Sequence, residues 1–154
     1  MSDLDKIDRK ILRLLQIDSK KTNKQLSSLL NLSVTAVYER IRKLEKNGYI
    51  KGYVAVVAKE KVNRALLVFC QIKLIQHTKE YVLYFEQEVV KLEEVMECYH
   101  VSGEYDYLLK VCVSNMEAFR EFMVTKLTTL KHIGSTQSSF VINEVKSETA
   151  VIIN

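Results

Sequence analysis

The sequence predicts an α+β chain of two parts, and three observations predict it. Residues 1–57 carry apolar residues at helical spacing, broken twice by short polar turns. Residues 64–154 alternate period-two apolar runs with helical ones, in the order strand, helix, strand, strand, helix, strand. Charge divides at the same place. Up to Arg64 there are 15 Lys and Arg against 7 Asp and Glu; beyond it there are 8 against 12. A basic helical segment joined to an acidic remainder is the charge layout of a polyanion-binding module attached to something else.

The first helix is expected over 4–19. Leu4, Ile7, Ile11, Leu14 and Leu15 fall on one face, and Asp3 is placed as its cap. Residues 22–50 then read as two short helices joined by a tight turn. Thr22 with Gln25 is a capping box, in which each side chain satisfies a backbone donor of the other residue. Leu26, Leu29 and Leu30 give the apolar face, and Asn31-Leu32 makes the turn. Ser33 caps the next helix, whose buried stripe is Val34, Val37, Ile41 and Leu44. Asn47-Gly48 stops it, since glycine tolerates the left-handed cap conformation.

The outer side of that last helix carries Thr35, Tyr38, Glu39, Arg42, Lys43 and Lys46. A helix-turn-helix with a basic, hydrogen-bonding outer face suits the major groove of double-stranded DNA. Thr35, Tyr38, Glu39 and Arg42 are the base-reading candidates. Lys21, Lys24, Lys43 and Lys46 are the phosphate candidates, with Thr22 and Ser33 at the helix starts. The plainer reading is a helical hairpin with a solvated charged face. Residues 50–57 turn to β-branched and aromatic types and are expected to form a wing and exit strand. The polar stretch 58–63 is placed as the linker.

In the second part, a strand over 64–75 puts Leu66, Val68, Cys70, Ile72 and Leu74 on one face. Thr78 caps a helix to about Leu92, with Val82, Phe85, Val89 and Leu92 inward. Strands over 95–102 and 105–113 form a hairpin around Gly103-Glu104. Ser114 with Glu117 is a second capping box, starting a helix that buries Met116, Phe119, Met123, Leu127 and Leu130. A fourth strand over 133–145, bent near Gly134, and a short fifth over 149–153 complete a ferredoxin-like βαββαβ arrangement. Two helices cover one sheet face and nothing in the chain covers the other, so a second subunit is expected there.

Composition narrows the class. A 47% hydrophobic fraction is too high for a disordered chain. No run approaches the ~20 apolar residues of a membrane span, and the charged start lacks the apolar core of a secretory signal. A cytoplasmic location with no membrane partner is expected. Cys70, Cys98 and Cys112 are odd in number and lie in apolar runs, which reads as reduced core thiols. His77, His100 and His132 stand singly, so no metal site is expected. No catalytic constellation and no cofactor motif appears. Proline is absent, which leaves turns to Gly, Asn, Ser and Asp.

With these motifs in place, the chain resembles the Lrp/AsnC (feast/famine) family of transcription regulators over essentially its whole length. The marks are LDKIDRKIL, LSVTAVYERIRKLEKNGYIKGY, VSGEYDYLLKV and TQSSFVINEVK, in that order. The resemblance implies a winged helix-turn-helix that reads DNA. It also implies a C-terminal domain that dimerises, assembles dimers into tetramers or octamers, and binds amino acids or related metabolites. Two departures stand out. Lys20-Lys21 replaces a usual Gly-Arg, and lysine lacks the bidentate fork of arginine. Lys131-His132 replaces a frequent Pro-Gly before the fourth strand.

The loop Gly103-Glu104-Tyr105-Asp106 is the candidate effector site. Backbone N–H groups near Gly103 can receive a carboxylate, and Asp106 can pair with an α-ammonium. Thr136 and Ser138 are expected to add hydroxyls, and Tyr99 and Tyr105 to shape the pocket. The plain reading of the same loop is a hairpin turn. Besides a ligand-responsive regulator, two functions fit less of the pattern: an architectural DNA-binding protein whose C-terminal half only oligomerises, and a small-molecule enzyme or carrier with an incidental helical hairpin.

Overall fold

The computed structural model describes residues 4–153, which form two compact units. One holds the chain up to Val56 together with the stretch from Lys146 onward; the other runs from Val57 to Val145. The chain therefore leaves the first unit once and returns to it, where a single boundary at 58–63 was expected.

The first unit contains α1 (Lys6–Ile17), α2 (Asn23–Leu30) and α3 (Val34–Lys46). Ile11, Leu12, Leu15, Leu26, Val37 and Leu44 make its core. The cap of α1 is Asp5; the expected cap, Asp3, lies outside the described residues. The Asp5 carboxylate accepts from the N–H groups of Ile7 and Asp8, at 2.8 and 2.7 Å. Asp8 returns the bond to the Asp5 N–H, closing a capping box. The Thr22–Gln25 box and the Ser33 cap form as the sequence predicts. Asn31 makes the turn in the left-handed conformation, φ 54°, which asparagine tolerates better than most residues. Gly48, φ 75°, ends the stop after α3.

Two stripe assignments are corrected. Leu29 and Val34 are exposed, because each lies at the rim of its helix face, while Leu12 is buried with α1's stripe. Residues 50–57 are not a strand. Their sequence favours extended backbone, but a strand requires a hydrogen-bonded neighbour, and β1–β4 alone make up the sheet among the described residues. Val54 and Val56 are accordingly 80% and 84% exposed. The expected fifth strand over 149–153 also fails to join the sheet and lies on α1 instead. Gln16 donates to the Val151 carbonyl and accepts from its N–H, and Arg13 donates twice to the Ile153 carbonyl. Side chains of one helix thus supply the partners that a sheet would have supplied.

The second unit opens with a short 3-10 turn, Lys59–Val62. It continues with β1 (Leu66–Leu74), α4 (Lys79–Val89), β2 (Val95–His100), β3 (Tyr107–Val113), α5 (Met116–Thr125) and β4 (Ile133–Phe140). The sheet order is β2-β3-β1-β4, antiparallel throughout, the split βαβ topology. Val68, Cys70, Ile72 and Leu74 of β1 face the helices with Tyr107, Leu109 and Val111 of β3, Phe85 and Val89 of α4, and Phe119 and Phe122 of α5. All three cysteines are free; Cys70 and Cys112 are buried and Cys98 is half-buried, where burial pushes its thiol up to about 11.

Several boundaries move. α4 stops at Val89, with Thr78 capping it as expected. β2 ends at His100 and β3 starts at Tyr107, so six residues connect them where a two-residue turn was expected. The cap of α5 is Asn115, which accepts from the Ala118 N–H, so the Ser114–Glu117 box does not form. That shift leaves Met116 exposed and buries Phe122. Leu127 is buried on a following 3-10 turn. β4 ends at Phe140 and shifts register opposite Lys73 and Leu74. A Cβ at Gly134 would lie 3.3 Å from backbone atoms of Lys73, Leu74 and Ile75, so a larger residue at the bend would push that backbone by a few tenths of an ångström. His132 before it adopts φ 71° and stacks on Tyr81, ring centroids 3.6 Å apart.

Candidate nucleic-acid interface and effector loop

Recognition requires side chains that the fold leaves free. Thr35, Tyr38, Glu39, Arg42 and Lys46 recur at three, four and seven residues along α3 and are all exposed, so they form one stripe. Lys43 is exposed at its edge. Lys24 is exposed at the start of α2. Lys21 pairs with Asp18 at 3.0 Å; that bond, then the Lys20 N–H, holds the Asp18 carboxyl below its ordinary range. The Thr22 and Ser33 hydroxyls are occupied as caps, accepting from the Gln25 and Ala36 N–H groups. They position α2 and α3, and their backbone remains at the helix starts.

Behind the stripe, Arg40 faces α1 and bridges Asp5 and Asp8, at 2.6 Å from each. Sequence reading missed it, because its i, i+3 spacing from Val37 looks no different from that of an exposed charge. Tyr53 donates to Glu45 at 2.9 Å and ties the extended stretch after α3 back to that helix. Burial and the Glu45 carboxylate push the Tyr53 phenol up to about 12.

The loop 101–106 is built on β1. The Asp106 N–H donates to the Ile72 carbonyl, and the Val101 N–H donates to the Asp106 carbonyl, each at 2.9 Å. The Asp106 carboxylate accepts from the Leu74 N–H at 2.7 Å and faces His77 Nδ1 at 3.1 Å. The plain hairpin role expected of Asp106 is thus real. Each carboxylate oxygen still keeps a lone pair beyond these bonds. Gly103 adopts φ 133°, reserved for glycine, and with Glu104 it is exposed at the loop tip.

The other expected residues do not converge on one wall. Thr136 and Ser138 pair with Ile72 and Cys70, on the helix-covered face, and Ser138 Oγ lies 3.7 Å from Cys70 Sγ. The strand residue that reaches the loop is Gln137, on the open face, which accepts from the Tyr105 hydroxyl at 2.6 Å. Period two on β4 puts 137 opposite in direction to 136 and 138. Tyr99 is on the open face as well, its hydroxyl donating to Glu97. That bond, then Lys110, lowers the Glu97 carboxyl.

Comparison with known proteins assigns both units. Residues 4–51 match the model for winged helix-turn-helix DNA-binding domains, and residues 67–151 match the model for the Lrp/AsnC ligand binding domain. The chain belongs to the Lrp/AsnC family of transcription regulators. It is 40% identical over 151 residues to the leucine-responsive regulatory protein of Escherichia coli K12, covering 98% of this chain and 92% of that one. Its fold superposes at a TM-score of 0.94 on a Neisseria meningitidis transcriptional regulator in complex with L-Met, 35% identical, covering 99% of this chain and 98% of that one. An AsnC family regulator from Agrobacterium tumefaciens gives 0.91, at 35% identity and 96% of each chain. As a family member the chain is a DNA-binding regulator with a ligand-binding domain, and not an enzyme. No helix among the described residues is long and apolar enough to cross a membrane.

Proposed function

We propose that this Lrp/AsnC regulator works as a homo-oligomer whose DNA binding responds to an amino acid held at the loop 101–106. The single observation that carries the reading is that loop. It offers backbone donors beside a glycine-only conformation, with one carboxylate fixed three residues on. A zwitterion presents one group for each. The L-Met complex of the Neisseria relative supports the ligand class.

The helical unit reads DNA through Thr35, Tyr38, Glu39 and Arg42, while Lys21, Lys24, Lys43 and Lys46 meet phosphates. The second unit binds the effector and assembles the protein. Its open sheet face is mixed rather than wholly apolar. Leu67, Phe69, Leu108 and Cys112 alternate with Gln71, Lys110 and Glu97. Leu67 and Cys112 are already buried at one end of it, so a second copy placed on this face, about a two-fold axis, would cover the half-buried Phe69 and Leu108. Two recognition helices then address an imperfect palindrome with half-sites about 34 Å apart.

The test is a thermal-shift screen against the twenty amino acids. A ligand at about 100 times its Kd stabilises the native state by about 2.7 kcal/mol. At least one amino acid should therefore raise the midpoint by several degrees. A flat screen defeats the effector reading and favours an oligomerisation role alone.

A further inference from the structure

Two histidines and two carboxylates meet beside the loop, contributed by four parts of the second unit. His77, after β1, faces Asp106 of the loop at 3.1 Å. The His77 and His100 rings lie 5.2 Å apart. His100, ending β2, stacks on Tyr107 of β3 at 4.7 Å, and its Nδ1 is 3.8 Å from Glu86 Oε1 of α4. That same oxygen accepts from the Tyr107 hydroxyl at 3.0 Å. The third histidine adjoins the group through its backbone: the His132 carbonyl accepts from the Ile75 N–H, while its ring stacks on Tyr81. His77 and His100 are each about half exposed, so protons reach both rings.

Asp106 cannot leave this arrangement cheaply, because its second oxygen accepts from the Leu74 N–H of β1. With Asp106 accepting, Nδ1 of His77 carries a hydrogen and Nε2 is where a further proton arrives. That proton creates an imidazolium against the carboxylate that the effector's ammonium would use. Two cations then compete for one anion.

We propose that amino-acid binding by this chain is proton-linked through His77, a positioning residue that leaves Asp106 its negative charge when neutral and cancels it when protonated. The proposal rests on the effector reading above. Imidazole is the side chain that ordinarily titrates between about pH 5 and 8. Asp and Glu ordinarily titrate near 4, and an α-ammonium stays charged up to about pH 7.5, so neither changes in the window used.

The experiment is calorimetric titration of the whole chain with L-methionine and with L-leucine, at about pH 7.0 and about pH 5.5. Wild type, His77→Gln and His100→Gln are compared, with the thermal midpoint of each variant as the folding control. In wild type, affinity should fall about fivefold or more at the lower pH, as the imidazolium comes to occupy Asp106. In His77→Gln the amide can still donate to Asp106 but takes up no proton. Whatever its affinity at neutral pH, that affinity should stay flat on acidification. A wild type that binds equally at both pH values overturns the proton link alone. So does a pH slope that survives in His77→Gln, or one that disappears only in His100→Gln. No saturable heat with either amino acid at either pH defeats the effector reading, and the proposal with it.

Discussion

Asp8 and Arg40 meet at 2.6 Å where α1 packs on α3, and the Asp8 residue is only 7% exposed. The same guanidinium nitrogen reaches Asp5, the cap of α1, so one cation closes both carboxylates at that helix start. Removing it leaves a nearly buried carboxylate without its counter-charge, partly relieved by solvent at Asp5. Arg40→Ala should destabilise the helical unit by about 1–2 kcal/mol, read from denaturant unfolding followed by helical circular dichroism. If instead DNA affinity falls while stability is unchanged, Arg40 belongs to the recognition face.

Arg40 also bears on the acid response of Asp5. The Asp8 N–H and then Arg40 hold the Asp5 carboxyl below its ordinary value. A depressed folded pKa contributes stability above the unfolded value, near pH 3.9, and loses it as pH falls through the folded value. Acidification from about pH 5 to about pH 3 should therefore lower the midpoint of the helical unit more steeply in wild type than in Arg40→Ala. Parallel slopes in the two proteins would show that Arg40 does not govern Asp5.

On the exposed stripe of α3, the proposed base readers and phosphate anchors should separate by what they change. Arg42→Ala should relax sequence preference at one base position, at about 1–3 kcal/mol if its contact is bidentate. Lys46→Ala should weaken all sequences alike and flatten the salt slope by about one. Binding to a randomised pool at two salt concentrations distinguishes them, and uniform losses from both would cancel the division of roles.

Assembly can be tested on the open sheet face. Leu108 is half-buried there, opposite Gln71 and beside Tyr99. Leu108→Glu should place a charge in the face a second copy would cover and drive the protein to monomer by light scattering. The variant should keep its fold, since the Leu108 side chain points away from the helix-covered core. An unchanged oligomer would move the interface elsewhere.

Local chemistry explains which parts of the fold could be read in advance. The Thr22–Gln25 box, the Ser33 and Thr78 caps and the β1 alternation each depend on residues a few positions apart, and each forms as predicted. The errors arose where a distant partner decides the outcome. Val54 and Val56 favour a strand, yet no strand among the described residues pairs with them. Residues 149–153 carry the same bias, and Gln16 and Arg13 of α1, more than a hundred positions away, bind them instead. At the candidate site the loop was legible from Gly103 and Asp106. Gln137 and His77 were not, because register and loop closure bring them there, and no spacing signals either.

Whether the effector controls DNA binding is decided by anisotropy titration of a DNA fragment selected by the protein, with and without the amino acid that raises its thermal midpoint most. Asp106→Asn serves as the comparison, since its amide oxygen can still accept from the Leu74 N–H while the charge is gone. Wild type should change its DNA affinity on adding the amino acid by a factor of about 5–150, the usual range of allosteric coupling. Asp106→Asn should bind DNA within about threefold of wild type and lose that response, since only the proposed charge partner of the effector has been removed. An amino acid that binds wild type without moving DNA affinity, or an Asp106→Asn protein that responds as wild type does, would rule out effector control through Asp106.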